Sequence, residues 1–189
     1  AQEIVEALWN YPESPWFKRI NMIGESGGPT MSQAAFIRSL ANSFFKKRNG
    51  LFSSSLSNND VLPWTRTQQA TFLIIVWQAV AESVAKSKSP WADALRTEER
   101  QLKVYEDIDE WDLAFTSKNS FLSRDQGVRG VSLFANDFFY LAAGYGDISF
   151  DGLDFDEEDE KSITKKSIET TIRYIKTERS DLYKLIIDF

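Results

Sequence analysis

Apolar residues recur at spacings of three and four along most of this chain, and that period predicts helices. Ile4 to Trp9 forms a first short helix, ended at Asn10, Tyr11 and Pro12 because proline cannot continue the hydrogen-bond ladder. Ser14-Pro15 reads as an N-cap followed by proline in the first turn, with Trp16, Phe17 and Ile20 as the apolar face of a short helix ending near Met22. "GESGGPT" is a loop. Ser32 caps the next element, and Phe36, Ile37, Leu40, Ala41 and Phe44 predict an amphipathic helix over 33–47, stopped by Asn49-Gly50. Thr65 or Thr67 caps a long helix to about Lys86. Its apolar residues, from Phe72 to Val84, lie on nearly all sides, so it is expected at the centre of the fold.

"SPWADAL" at 89–95 repeats the Ser-Pro-Trp device and predicts another capped helix start. Residues 96–118 are charged and mixed, with Tyr105, Ile108, Trp111 and Phe115 as anchors. A break is expected at Gly127, then a helix from Val128 to Ala143 with Val131, Phe134, Phe138 and Leu141 as its buried stripe, closed by Gly144. Ile168, Ile172 and Ile175 place a helix in the last part, and Ser180 begins a final short one. The sum is a mainly α protein: a single helical domain over 1–189, with about six to eight helices around a central buried helix and at most one or two short strands. No segment alternates long enough to demand a sheet.

Composition narrows the chemistry. The 189 residues are 42% hydrophobic and 14% aromatic, enough for a real core and unlike a disordered chain. Cys and His are both 0. That removes disulfides, thiolate metal sites, the cysteine nucleophile, the commonest general base and every Ser-His-Asp triad. The expectation is a non-catalytic protein with no cofactor and no metal site. The N-terminus "AQEIVEALW" is acidic, unlike a signal peptide, and the longest apolar passage, residues 70–85, is interrupted by Gln78, Glu82 and Ser83. No membrane span is expected, and the absence of cysteine fits a reducing cytoplasm. Starting at Ala1, the chain reads as a fragment of a longer protein.

The net charge is -6, which argues against general coating of nucleic acid. It is unevenly spread. Residues 147–160 hold eight acidic side chains and no basic ones, an acidic loop; residues 161–184 hold seven Lys or Arg against three acidic residues. The acidic run alternates like a calcium loop at Asp154, Asp156 and Glu158, but Asp159 stands where the sharp turn needs glycine, so it reads as a solvated loop. Asp159-Glu160-Lys161 has the Asp-x-Lys form of metal-dependent nucleases without the strand that aligns it. Lys161, Lys165, Lys166, Arg173, Lys176 and Arg179 are the nucleic-acid candidates; against that stands a solvated face that balances the acidic loop. Trp9, Trp16 and Trp64 near loops are stacking platforms or, more ordinarily, clamps on the core. Arg124, Asp125, Gln126 and Arg129 crowd the glycine break, as a polar site or as a cap with its ion pairs.

"SPWFKRIN" followed by "MSQAAFIRSLANSFF" resembles the region downstream of the signature motif in DGQHR-domain proteins, and "NSFLSRDQGVRGVSLFANDFF" resembles their later apolar helix. Together these stretches cover about half the chain. The Asp-Gly-Gln-His-Arg motif itself is absent. The resemblance therefore implies the C-terminal helical part of such a protein, packed on an N-terminal ParB-like core or on another protein. Its setting would be DNA phosphorothioation, phage defence or the transcriptional control of those genes. Trp16, Phe17, Arg124 and Arg129 are then the interface candidates, with Trp16 and Phe17 anchoring the seam. Direct DNA binding through residues 161–179 is the alternative.

Overall fold

The computed structural model describes residues 1–24, 31–53, 64–102, 112–117, 119–146 and 162–189. Eight helices lie among the described residues: α1 (Gln2–Asn10), α2 (Gln33–Ala41), α3 (Arg66–Lys86), α4 (Pro90–Leu102), α5 (Asp112–Thr116), α6 (Asp125–Tyr145), α7 (Lys165–Glu178) and α8 (Ser180–Ile187). The protein is mainly helical, with no strand among those residues; Asn21 and Ser32 form a single isolated bridge.

The predicted centre is the observed one. At the start of α3, Thr65 Oγ1 accepts from Gln68 N–H while Gln68 Oε1 accepts from Thr65 N–H, a reciprocal capping box. From Thr67 to Ala81 most α3 side chains are buried, so it has no solvent face over four turns. It packs against α1, α7 and α8, while α2 packs on α6 and α1, and α4 on α5.

Two aromatic groups fill the core. Trp16 meets Phe36, Trp77 and Phe115 edge-on, with ring centroids 5.1, 5.3 and 5.0 Å away. Phe72, five residues before Trp77, meets Trp64 at 5.3 Å and Phe139 at 5.0 Å. Edge-to-face pairs at these spacings are favourable beyond their buried area.

The two Ser-Pro-Trp sites diverge. Ser89 Oγ accepts from Ala92 N–H, three residues on, and Pro90 opens α4 as predicted. Ser14 Oγ accepts from Trp16 N–H, two residues on, and residues 12–18 form consecutive turns rather than the expected helix. Lys18, at φ 56, takes the left-handed conformation that ends any helical path. The result drives Trp16 inward between α2, α3 and α5, where it is completely buried.

α2 stops at Ala41, six residues before the expected end at 47. Ser39 and Ser43 hydroxyls donate back to the carbonyls of Ala35 and Ser39, and Phe45 N–H reaches Leu40 O, a looser turn than the helix. Gly127 is not a break. It lies in the first turn of α6, buried, and a Cβ there would stand 1.9 Å from the carbonyl oxygen of Phe121. The glycine allows the 121–122 backbone to lie against the helix. α6 ends at Gly146, at φ 72, two residues after the expected Gly144.

Candidate functional site

α6 turns a different face inward from the one its largest apolar residues suggest. Its buried residues are Gly127, Val128, Ser132, Ala135, Asn136 and Phe139. Of the expected stripe, Phe134 is 65% exposed, Leu141 55% and Phe138 36%, with Val131 half-buried. Tyr145, one turn beyond Leu141, is 79% exposed. The true stripe is the expected one moved by a single residue, a rotation of about 100°. Small side chains make the difference: Ser132 and Ala135 are buried in the α6 face on which α2 packs. Asn136 is buried because its side chain serves the 49–51 backbone. Its Oδ1 accepts from Leu51 N–H at 2.8 Å, and its Nδ2 donates to Asn49 O at 2.9 Å.

Beside the outward stripe runs an apolar groove of about 610 Å³. Val80 and Val84 of α3, Trp91 of α4, Leu122, Phe134 and Phe189 are among its walls. Phe189 stacks over α6, with ring centroids 5.5 Å from Phe134 and 5.2 Å from Phe139. The far wall is held by Arg96, whose guanidinium donates to the carbonyls of Ala85 at 3.2 Å and Ser87 at 2.6 Å and so fixes the turn between α3 and α4. The volume lies in the range of ligand and peptide-anchor sites.

The basic candidates are partly gathered. Thr164 caps α7, and Ile168, Thr171 and Ile175 face the core. Lys165, Lys166, Arg173 and Lys176 are exposed within about 100° of arc on the opposite side. Glu169 lies among them, 3.6 Å from Lys165 Nζ, and Lys176 Nζ stands 5.3 Å from the Tyr183 ring. Arg179 leaves the group: it is mostly covered and its Nε is 3.4 Å from Asp181. Lys161, Asp159-Glu160-Lys161 and the acidic loop 147–160 lie outside the described residues.

The interface candidates are not brought together. Trp16 is enclosed by the chain's own rings and presents no surface to a partner, which corrects its assignment as a seam anchor. Phe17 is half-buried beside Lys18, and Arg124 and Arg129 are exposed around the first turns of α6. Trp64 is buried on Phe52 and Phe72, and the Trp9 ring is covered by Lys18 Nζ at 3.2 Å, so neither offers a bare stacking face. Among the described residues no cluster of three or more His, Cys, Asp or Glu is placed to hold a metal ion, and no helix is long and apolar enough to cross a membrane.

A smaller polar recess of about 220 Å³ lies between α1 and the start of α7, lined by Glu3, Glu6, Asn10, Tyr11 and Lys165 among others. Burial first, and then the neighbouring Glu13 carboxylate, which accepts from the phenol at 3.3 Å, push the Tyr11 hydroxyl up from 10.0 to about 12. The folded protein thus holds this proton where the unfolded chain has lost it. Its contribution is complete below pH 10 and is lost as pH rises from 10 to 12, so stability should fall across that window. Urea midpoints from pH 9 to 12 should show this fall in the wild type and a smaller one in Tyr11→Phe.

Compared with known proteins, the chain matches no family model, no curated protein and no solved structure.

Proposed function

We propose that this chain is a non-catalytic helical interaction module that docks a protein partner in the groove between α3, α4 and α6. The observation that carries this reading is the groove itself: an open channel of about 610 Å³ with apolar walls, beside aromatic side chains left in water. Exposed apolar surface of this kind marks association sites. The resemblance to DGQHR-domain proteins supplies the partner class, a ParB-like core in a DNA-modification or phage-defence setting.

Four cations on one face of α7 favour a second reading, in which the chain binds DNA directly. Glu169 among them and the overall charge of -6 weigh against it.

One titration separates the two. A purified ParB-like core from a DGQHR-domain protein and a DNA duplex are each titrated with three proteins: the wild type, Val84→Lys, and the triple variant Lys165→Glu, Lys166→Glu, Arg173→Glu. The expected result is binding of the core, weakened at least tenfold by Val84→Lys and unchanged in the triple variant. Duplex binding is expected no tighter than roughly 10⁻⁴–10⁻⁶ M, the non-specific range. Submicromolar duplex binding that falls steeply with salt and disappears in the triple variant would reverse the ranking.

A further inference from the structure

We infer that the exposed stripe of α6 is a self-association surface, on which a second copy of this chain packs its own α6 in antiparallel orientation. It rests on the premise, shared with the reading above, that α6 serves association, and Phe134 belongs to both surfaces. Leu141 and Tyr145 stand on α6 beyond the residues that line the groove.

The stripe consists of Phe134, Phe138, Leu141 and Tyr145. Steps of four, three and four residues separate them, the period of a helix-pairing seam. The sequence 4-3-4 reads the same in both directions. An antiparallel mate therefore presents the same pattern, with Phe134 of one copy opposite Tyr145 of the other and Phe138 opposite Leu141. A two-fold interface needs this self-complementarity.

Area supports one occupant of this size. At ~200 Å² for an aromatic side chain, the exposed fractions of Phe134, Phe138 and Tyr145 leave roughly 350 Å² in water, to which Leu141 adds. Two such stripes, with the side chains flanking them, approach the ~1,200 Å² at which specific interfaces begin. Asp137, tied to Lys46 at 3.0 Å, lies about 70° round the helix from the centre of the stripe and so falls on the rim rather than in the seam. An interface at this lower limit belongs with weak, reversible associations.

Sedimentation velocity over a concentration series tests the proposal on the chain as it stands. The expected result is a reversible, concentration-dependent monomer–dimer equilibrium, weakened at least tenfold by Leu141→Asp. Leu141 is more than half exposed, so the variant's melting curve should match the wild type. Geometry is tested by disulfides, which need Cα atoms within about 7 Å. The chain has no cysteine of its own. A mixture of Phe134→Cys and Tyr145→Cys proteins should give the mixed 134–145 cross-link, because in this pairing two copies of residue 134 lie roughly 16 Å apart. A monomer at all concentrations, a dimer indifferent to Leu141→Asp, or a dominant 134–134 cross-link would each overturn the proposal. A monomer that still binds the ParB-like core, and loses it in Val84→Lys, overturns this inference alone and leaves the module reading in place.

Discussion

Replacing Trp16 by alanine is expected to destabilise the protein by about 3–5 kcal/mol, the cost of truncating a large buried aromatic. Trp16 is wholly buried and packs edge-on against three rings from three elements, Phe36 of α2, Trp77 of α3 and Phe115 of α5. Removing it empties the junction of all three. Its Nε1 has no acceptor among the described residues, so the ring rather than the N–H carries the effect. Trp16→Phe should therefore cost less than Trp16→Ala, because it keeps an aromatic ring at the junction and leaves a smaller cavity. Urea unfolding of the two variants is the measurement. A Trp16→Ala midpoint close to the wild type would return Trp16 to the surface role read from the sequence.

Asn136→Ala is expected to cost about 1–3 kcal/mol, the range for a buried polar group, the Leu51 N–H, left without a partner. Asn136 is fully buried in the middle of α6. Its amide completes the backbone of a chain segment 85 residues away, accepting from Leu51 N–H and donating to Asn49 O. That segment is tightly constrained. Asn49 is at φ 58, and Gly50 is so close to Phe44 and Lys46 that a Cβ would lie 2.5 Å from the Lys46 carbonyl oxygen. Asn136→Asp should fail as well: it keeps an acceptor for Leu51 but turns an oxygen toward the Asn49 carbonyl and the Asp137 carboxylate. Thermal unfolding gives the cost, and hydrogen exchange at the Leu51 amide locates it. A variant with native stability and a still-protected Leu51 amide would show that the bond is dispensable.

Much of the helical plan was legible because its signals are local. Thr65 or Thr67, Ser32 and Ser89-Pro90 each announce a helix start within a few residues, and the all-round apolar run of α3 announces its place at the centre. What was not legible depends on contacts distant in sequence. Ser14-Pro15-Trp16 and Ser89-Pro90-Trp91 have the same letters, but only Trp16 has Phe36, Trp77 and Phe115 waiting to enclose it. The face of α6 was misread for a related reason. Ranking by hydrophobicity favours Phe134 and Phe138, whereas close helix packing is made by Ser132 and Ala135 and a remote backbone demands Asn136. One signal was present: α6 carries two apolar sides, Val128–Ala135–Phe139 and Phe134–Phe138–Leu141, and a helix in a single small core needs only one. The groove had no local signature, since Val84, Trp91, Leu122 and Phe189 come from four separate stretches of chain.

The position of α3 has a consequence for the order in which the protein takes shape. α3 is flanked by α1 from the beginning of the sequence and by α7 and α8 from its end. Its apolar circumference is thus not covered until helices some 80 residues further along have been made. During synthesis, the stretch from Phe72 to Val84 leaves the ribosome long before Ile168, Ile175 and Leu182 exist to shield it. Helical proteins usually fold early and locally because their contacts are near in sequence. This one must wait for its last quarter, and in that interval a nascent chain with an uncovered central helix is a natural client for a chaperone.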